Sequence, residues 1–597
     1  MKTVLPQLYP PPCRYETSGG LFVLPTHARV ILAGPSSEFS PHLRLLEDVL
    51  PLEVSRQIQT TPDGQNYRLQ LLPLETLSTA NLKLPFADEV DAYGMEIRED
   101  SIEAYATTCE GLYRACATLR QLLKSEIPCG EITDAPTLSV RGLMLDVSRG
   151  RTYSLPTLFW IIDRMAEIKM NRLELYFEAI FAYSKHSSVW GNSSPYTAAD
   201  VQILARYCHD RFITLIPNQN TLGHFERWFR HKDYLQYAEM PQGGAITPWG
   251  SVQEEPTGLC TTSEPTVEFV AGLLNELLPN FPEATEANLG GDEVFDLGLG
   301  RSQGKGERGA LYLSYLVRIA SVARKQGKTP TFWADMLLRH PEIIARAKEM
   351  LPDARWIVWG YEATDPLIEN AQRLIHAGLE ILVAPGTSSW RSFCGRTTNT
   401  LENIRCAVTA ACLSPRQKRG LLLTDWGDAG HWQPLVIMLP ALVWAASLAW
   451  NANDDLNLAF ALDDLTQVPN LGAFLLKLGD TYRFTGVETG NATQLFKQFL
   501  LPLDAPSPFT RTALESVLEQ LRELETEAAR LGTALFAEEA RWSLALQKLA
   551  VERALGVKNL TRDRARLVAQ LQLLWLRRGP RAELSSALAR LNAVILP

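Results

Sequence analysis

Six consecutive residues, Asn288-Leu289-Gly290-Gly291-Asp292-Glu293, carry the sharpest chemical signal in the chain. Two carboxylates stand side by side, and a negative charge on one raises the pKa of the other. One then stays ionised while its neighbour keeps a proton, the division that acid–base work requires. The two glycines let backbone or ligand approach closely. Neighbouring strand residues face opposite sides of a sheet, so both acids meet one substrate only on a turning backbone beyond a strand end. Taken alone, Gly-Gly-Asp-Glu reads equally well as a solvated turn.

Trp333, Trp359, Trp390 and Trp426 form the second signal. An indole face stacks on the apolar C–H face of a pyranose, and its N–H is a donor. Any one of them reads as core filling; four at corresponding positions suggest a sugar pocket. Trp444 and Trp450 read as helix core. Arg141 and Arg149 flank one apolar run, and a guanidinium can fork to two vicinal hydroxyls. Of the two, Arg149 reads as the more structural. His224, in Gly223-His224-Phe225, is a candidate to tune the catalytic acid, with Glu178 available to orient it. The nine histidines are dispersed without HxxH or HExxH spacing, so no metal is expected, and no cofactor motif stands out.

These residues need elements to position them. Eight short runs rich in β-formers alternate with helical-period segments: Gly142–Val147, Arg172–Phe177, Phe212–Pro217, Ala287–Gly291, Thr329–Ala334, Trp356–Gly360, Glu380–Ala384 and Leu421–Asp425. Parallel strands need crossovers, so this rhythm implies an α/β fold with a (β/α)8 TIM barrel over residues 136–455. Every candidate but Arg141 then falls at or beyond a strand's carboxyl end, where barrels do chemistry. Residues 1–135 hold alternating strand patterns, then a helical run with Leu112, Ala115, Leu119 and Leu122, a small α+β domain. Residues 456–597 keep helical spacing at Leu514, Val517, Leu518 and Leu521 and again at Leu535, Trp542, Leu546 and Leu549, an α-helical domain.

Bulk composition narrows the class. With 58 basic and 67 acidic residues the net charge is −9, which disfavours nucleic acid or an anionic membrane as partner. No signal-peptide pattern opens the chain, and nine scattered cysteines suit reduced thiols, so a cytoplasmic location is expected.

On these motifs the chain resembles glycoside hydrolase family 20, the β-N-acetylhexosaminidases. Gly290-Gly291-Asp292-Glu293 resembles the family's catalytic signature, and Gly223-His224 its Gly-His turn. Arg141 to Arg149 resembles the opening barrel strand, and Gly111-Leu112-Tyr113-Arg114 the end of the family's small α+β domain. The resemblance implies an exo-acting enzyme that removes terminal β-linked GlcNAc or GalNAc with retention. The substrate's own acetamido oxygen attacks the anomeric carbon, an exception to the two-carboxylate scheme. Asp292 would orient the acetamido group and Glu293 would serve as acid, then base. An intramolecular nucleophile held in place is worth ~7–11 kcal/mol. The resemblance also assigns sugar hydroxyls to Arg141, support of His224 to Glu178, pocket walls to Trp333, Trp359 and Trp426, and outer hydroxyls to Asp428. The helical tail resembles bacterial members that often dimerise, so a homodimer is an expected assembly. Three positions depart from the pattern: Asn288 replaces a His, Glu178 replaces an Asp, and no Tyr follows the seventh strand. Tyr361 is the candidate substitute for that Tyr. Two alternatives stand beside this reading: a barrel glycosidase with a covalent nucleophile at Asp335 or Asp428, and a decayed carbohydrate-binding protein.

Overall fold

The computed structural model describes residues 5–595, apart from 26–27, 35–38, 51–53, 61–66, 74–88, 454, 503 and 558–559. An N-terminal sheet, a closed parallel barrel and a C-terminal helical region follow one another along the chain.

The N-terminal sheet has seven strands in the order Arg14–Phe22, Ile127–Asp134, Tyr93–Ile97, Ile102–Ala106, Tyr67–Pro73, Ala28–Gly34, Ser55–Thr60. Only the last pair is parallel. The helix Cys109–Leu122 covers it, burying Leu112, Ala115, Leu119 and Leu122 on one stripe. Thr108 caps it by accepting the Gly111 N–H at 3.0 Å.

The barrel strands are Val140–Asp146, Arg172–Phe177, Thr214–Gln219, Glu286–Asn288, Thr329–Trp333, Arg355–Trp359, Glu380–Ala384 and Gly420–Asp425. All run parallel in chain order, and the eighth closes on the first. The fourth is the shortest, because Gly290 and Gly291 turn the chain away at φ +70° and +87°. At the amino end of the barrel, a chain of ion pairs runs from the second strand through the fourth and sixth to the seventh. Arg172 meets Glu174 and Glu286, and Arg355 meets Glu286 and Glu380.

Trp450 ends the helix Leu439–Trp450 and joins the core of the N-terminal sheet, whereas Trp444 packs in the barrel core. The helices Arg511–Ala528, Leu535–Ala554, Thr561–Leu576 and Leu584–Ile595 share that barrel core. Their seam with the barrel is partly polar: Arg578 pairs with Glu539, and its carbonyl accepts the Ser154 N–H at 2.9 Å. Among the described residues no helix is long and apolar enough to cross a membrane.

Candidate active site

Asp292 and Glu293 leave the fourth strand through the Gly290-Gly291 turn. A Cβ on Gly290 would lie 2.5 Å from Asn220 Oδ1, so both the positive φ and the close approach demand glycine there. Asn288 secures the turn: its Oδ1 accepts the Gly290 N–H at 3.1 Å while its Nδ2 donates to Glu174 at 3.0 Å. Glu293 itself sits at φ +51°, a left-handed conformation uncommon for a side-chain-bearing residue. Asp335 Oδ2 accepts the Glu293 N–H.

His224 joins the two acids. It also stands at positive φ, +58°, and its Nε2 lies 3.3 Å from Asp292 Oδ2 and 3.6 Å from Glu293 Oε2. Asn220 Nδ2 donates to the other oxygen of Asp292 at 2.8 Å. Burial pushes the Asp292 carboxyl up, but the charge and hydrogen bond of His224 more than offset this and hold it below the usual carboxylate range. Glu293 moves the other way: burial raises it, His224 opposes, and the charge on Asp292 adds to the rise. Burial disfavours the His224 cation, yet Asp292 outweighs it and carries that ring up to about 10. Two acids on a shared imidazole, one held below and the other pushed above the usual carboxylate range, are the arrangement in which adjacent carboxyls divide labour.

Arg149 is the pocket's guanidinium. It donates to Glu178 Oε1 at 3.0 Å and Asp428 Oδ1 at 3.1 Å, and its carbon lies 4.8 Å from the Trp426 ring. Asp146 fixes the loop by accepting the N–H groups of Ser148 and Arg149. Arg141 is instead at the opposite end of its strand. It is fully buried, paired with Asp91, and bonded to the carbonyls of Leu138 and Lys169. The expectation that Arg141 holds a sugar is therefore corrected; strand direction takes it away from the carboxyl rim.

Glu178 also differs from its expected place. Its carboxylate accepts from Arg149 and from the Tyr176 hydroxyl at 3.1 Å, and it reaches His224 only through Arg149, whose NH2 lies 3.4 Å from Nδ1. The acid beside Nδ1 is Glu226, at 4.0 Å.

The aromatic side chains converge. Trp333, Trp426, Tyr176, Tyr361 and Trp390 share one cluster at the barrel mouth, with Trp359 packed on it. Tyr361 stacks on Trp359 with ring centroids 5.1 Å apart, and its hydroxyl accepts the Trp426 N–H at 2.8 Å. The Thr424 hydroxyl is the second hydrogen-bond neighbour of that oxygen. Trp390 is corrected from a pocket wall to a support. It is buried, edge-on to Tyr361, and its N–H is taken by Asn491 at 2.9 Å. Gly386 leaves room for this pair, since a Cβ there would lie 2.3 Å from Trp390 and 2.9 Å from Tyr361.

An aromatic box and an adjacent acid pair at the carboxyl rim of a closed barrel define an architecture of the glycosidase type. Comparison with known proteins makes this specific. A model of the glycosyl hydrolase family 20 catalytic domain matches residues 139–411, and a model of the family's domain 2 matches residues 5–135. The chain belongs to glycosyl hydrolase family 20. A β-hexosaminidase of Akkermansia muciniphila is 28% identical over 341 residues, 51% of this chain and 65% of that protein. The β-hexosaminidase subunit beta of Felis catus is 25% identical, over 48% of this chain and 57% of its own length. The chain thus spans less than two thirds of these relatives. Two solved structures share the fold with TM-scores of 0.59. The β-N-acetylhexosaminidase from Bacteroides fragilis, 18% identical, covers 77% of this chain and 94% of its own. The chitobiase of Flavobacterium johnsoniae, 16% identical, covers 98% and 99%.

Proposed function

We propose that this chain is an exo-β-N-acetylhexosaminidase that removes terminal non-reducing β-linked GlcNAc or GalNAc with retention, through an oxazoline-type intermediate. The observation that carries the reading is the shared contact of Asp292 and Glu293 with His224, with one acid held ionised and the other biased toward its protonated form. Asp292 accepts the acetamido N–H and stabilises the positive charge that develops as the acetamido oxygen bonds to the anomeric carbon. Glu293 gives its proton to the glycosidic oxygen as that C–O bond breaks. It then takes a proton from the water that opens the ring intermediate. Trp333, Trp359 and Trp426 wall the sugar. The Tyr361 O–H, exchanging its contact with Thr424, donates to the acetamido carbonyl, in place of the Tyr missing after the seventh strand. Arg149, with Asp428, takes the hydroxyls first assigned to Arg141.

Two placements weaken a covalent enzyme nucleophile: Asp335 is committed to the Glu293 backbone and Asp428 to Arg149. The catalytic unit is read as residues 136–455, between an α+β unit over 1–135 and a helical unit over 456–597. No disulfide is formed by the nine cysteines, which supports a reducing, cytoplasmic setting. A homodimer and an amino-sugar glycoconjugate substrate belong to the same proposal.

The test is a panel of aryl glycosides of β-GlcNAc, β-GalNAc, 6-sulfo-β-GlcNAc and β-glucose, with a thiazoline analogue of GlcNAc as inhibitor. Cleavage of acetamido sugars but not glucose, with strong thiazoline inhibition, is expected. Turnover of glucose, or indifference to the thiazoline, rejects substrate assistance.

A further inference from the structure

A short hairpin, Ala245–Ile246 paired with Val252–Gln253, rises from the long connection after the third barrel strand. Its base is tied to both halves of the catalytic pair of loops. The Thr257 carbonyl accepts the N–H of Phe225, next to His224, at 2.9 Å. The Gly258 N–H donates to Asp296, three residues past Glu293, also at 2.9 Å. Asp296 leaves no space for a Cβ on Gly258, so this junction is tight.

The hairpin turn is Thr247-Pro248-Trp249-Gly250. The Gly250 N–H closes it on the Thr247 carbonyl at 2.9 Å, and Gly250 takes φ +84°. Proline fixes the second position and glycine supplies the left-handed exit, so the tip is stiff. What the stiff tip displays is an indole. Trp249 is 65% exposed, yet its ring lies 5.3 Å from that of Phe295, near perpendicular. Phe295 is two residues from Glu293 and is itself buried, with the Arg339 guanidinium 5.1 Å over its ring. Trp249 is thus a large apolar face left in water, braced against the segment that carries the proposed acid. Ile246 and Val252 of the same hairpin are exposed as well, and this apolar tip beside the acid-bearing segment points to a ligand.

We propose that Trp249 is the stacking platform for the leaving sugar, so that the natural substrates are oligosaccharides whose scissile β-linked amino sugar is attached to a second pyranose. This rests on the hexosaminidase reading above. The acid must reach the glycosidic oxygen within a hydrogen bond, so the leaving group begins its path at Glu293. A pyranose there presents its C–H face to a wall, and Trp249 supplies that wall one ring beyond Phe295. Arg339, exposed and with its guanidinium over the Phe295 ring, offers N–H donors to the same sugar's hydroxyls.

The experiment compares wild type, Trp249→Ala and Trp249→Phe on two kinds of substrate. One is whichever of the β-1,3-, β-1,4- and β-1,6-linked GlcNAc disaccharides wild type cleaves fastest. The other is the β-glycosyl azide of GlcNAc, whose leaving group is too short to reach the platform. Trp249→Ala is expected to lower kcat/KM on the disaccharide by ~5- to 20-fold, the size of one aromatic contact, with Trp249→Phe recovering much of the loss. The azide should change less than about twofold, since its binding leaves this contact unmade. Unchanged disaccharide kinetics, whether or not the variant alters self-association in sedimentation, overturn the proposal. So does an equal loss on both substrates, or a wild type that cleaves the azide but no disaccharide. A wild type that cleaves neither overturns the hexosaminidase reading itself.

Discussion

Asp335 Oδ2 accepts a 3.0 Å hydrogen bond from the backbone N–H of Glu293. The bond is made to a residue at φ +51°, a backbone state that costs free energy and persists only where the surroundings impose it. Asp335 therefore acts on the chemistry through Glu293, as a positioning residue. Burial and then the charge on Asp292 push its carboxyl up to about 7. Asp335→Ala is expected to lower kcat by ~10- to 100-fold with KM nearly unchanged, because the acid is misplaced while the sugar pocket is intact. Asp335→Asn keeps an accepting oxygen and should recover most of that loss. Above pH ~7, where the Asp335 carboxyl is ionised, it also removes a negative neighbour, so Glu293 ionises more easily there and the basic limb of the kcat/KM profile falls at lower pH. Loss through unfolding alone also lowers apparent kcat at unchanged KM, but it leaves the limb in place and shows in circular dichroism at the assay temperature.

Glu293→Gln isolates the proton itself. General-acid assistance is worth ~100-fold or more, so the variant should lose at least that on an unactivated disaccharide. With a dinitrophenyl leaving group, which departs without protonation, the loss in the first step should be far smaller. Comparable losses on both substrates would assign Glu293 to something other than proton donation.

His224 supplies a pH prediction for stability. Its folded pKa is raised to about 10, above the ordinary value near 6.5, because Asp292 outweighs burial. A group raised on folding stabilises fully below its unfolded pKa and loses that contribution as pH climbs through the folded one. The Asp292–His224 pair should thus lose stability between pH ~6.5 and ~10. In Asp292→Asn the raising charge is gone, so NMR titration of His224 should report a much lower pKa and this slope should flatten in denaturation series. The same variant should turn over slowly while remaining folded.

The eight barrel strands are legible in the sequence because buried parallel strands read as short β-branched runs between crossovers. Arg172–Phe177 and Glu380–Ala384 match residue for residue. That the acid pair lies beside His224, and that Trp333, Trp359 and Trp426 share one cluster, is legible for a chemical reason: these residue types are costly or conspicuous at strand ends. Asn220 and Tyr176 are not, although one holds Asp292 and the other Glu178. Neutral polar residues carry no local signature, and their role exists only once the third strand lies between the second and the fourth. The helper of His224 is missed for a geometric reason. Glu178 faces Arg149 and Tyr176, and a strand pattern gives the face of a side chain but not its reach. The exchange of Arg141 and Arg149 has another cause. They lie at opposite ends of the same strand, and only the polarity of the barrel separates them.

That exchange is open to direct measurement. Arg149 is partly exposed and shared between Glu178 and Asp428, so Arg149→Ala should raise KM strongly and lower kcat/KM while the protein stays folded. Lysine cannot fork to the same two carboxylates and two sugar hydroxyls, so Arg149→Lys should restore little. Arg141 is fully buried against Asp91, and Asp91 is shared with Arg114. Removing one partner of a buried pair costs ~3–5 kcal/mol when the other is left unpaired, and less here because Asp91 keeps Arg114. Arg141→Ala should therefore lower the thermal midpoint by several degrees, loosening the N-terminal sheet from the barrel, with KM unchanged in whatever fraction folds. Should Arg141→Ala raise KM at unchanged stability, the sugar would have to reach the amino end of the barrel, and the assignment of the pocket to the opposite rim would fail.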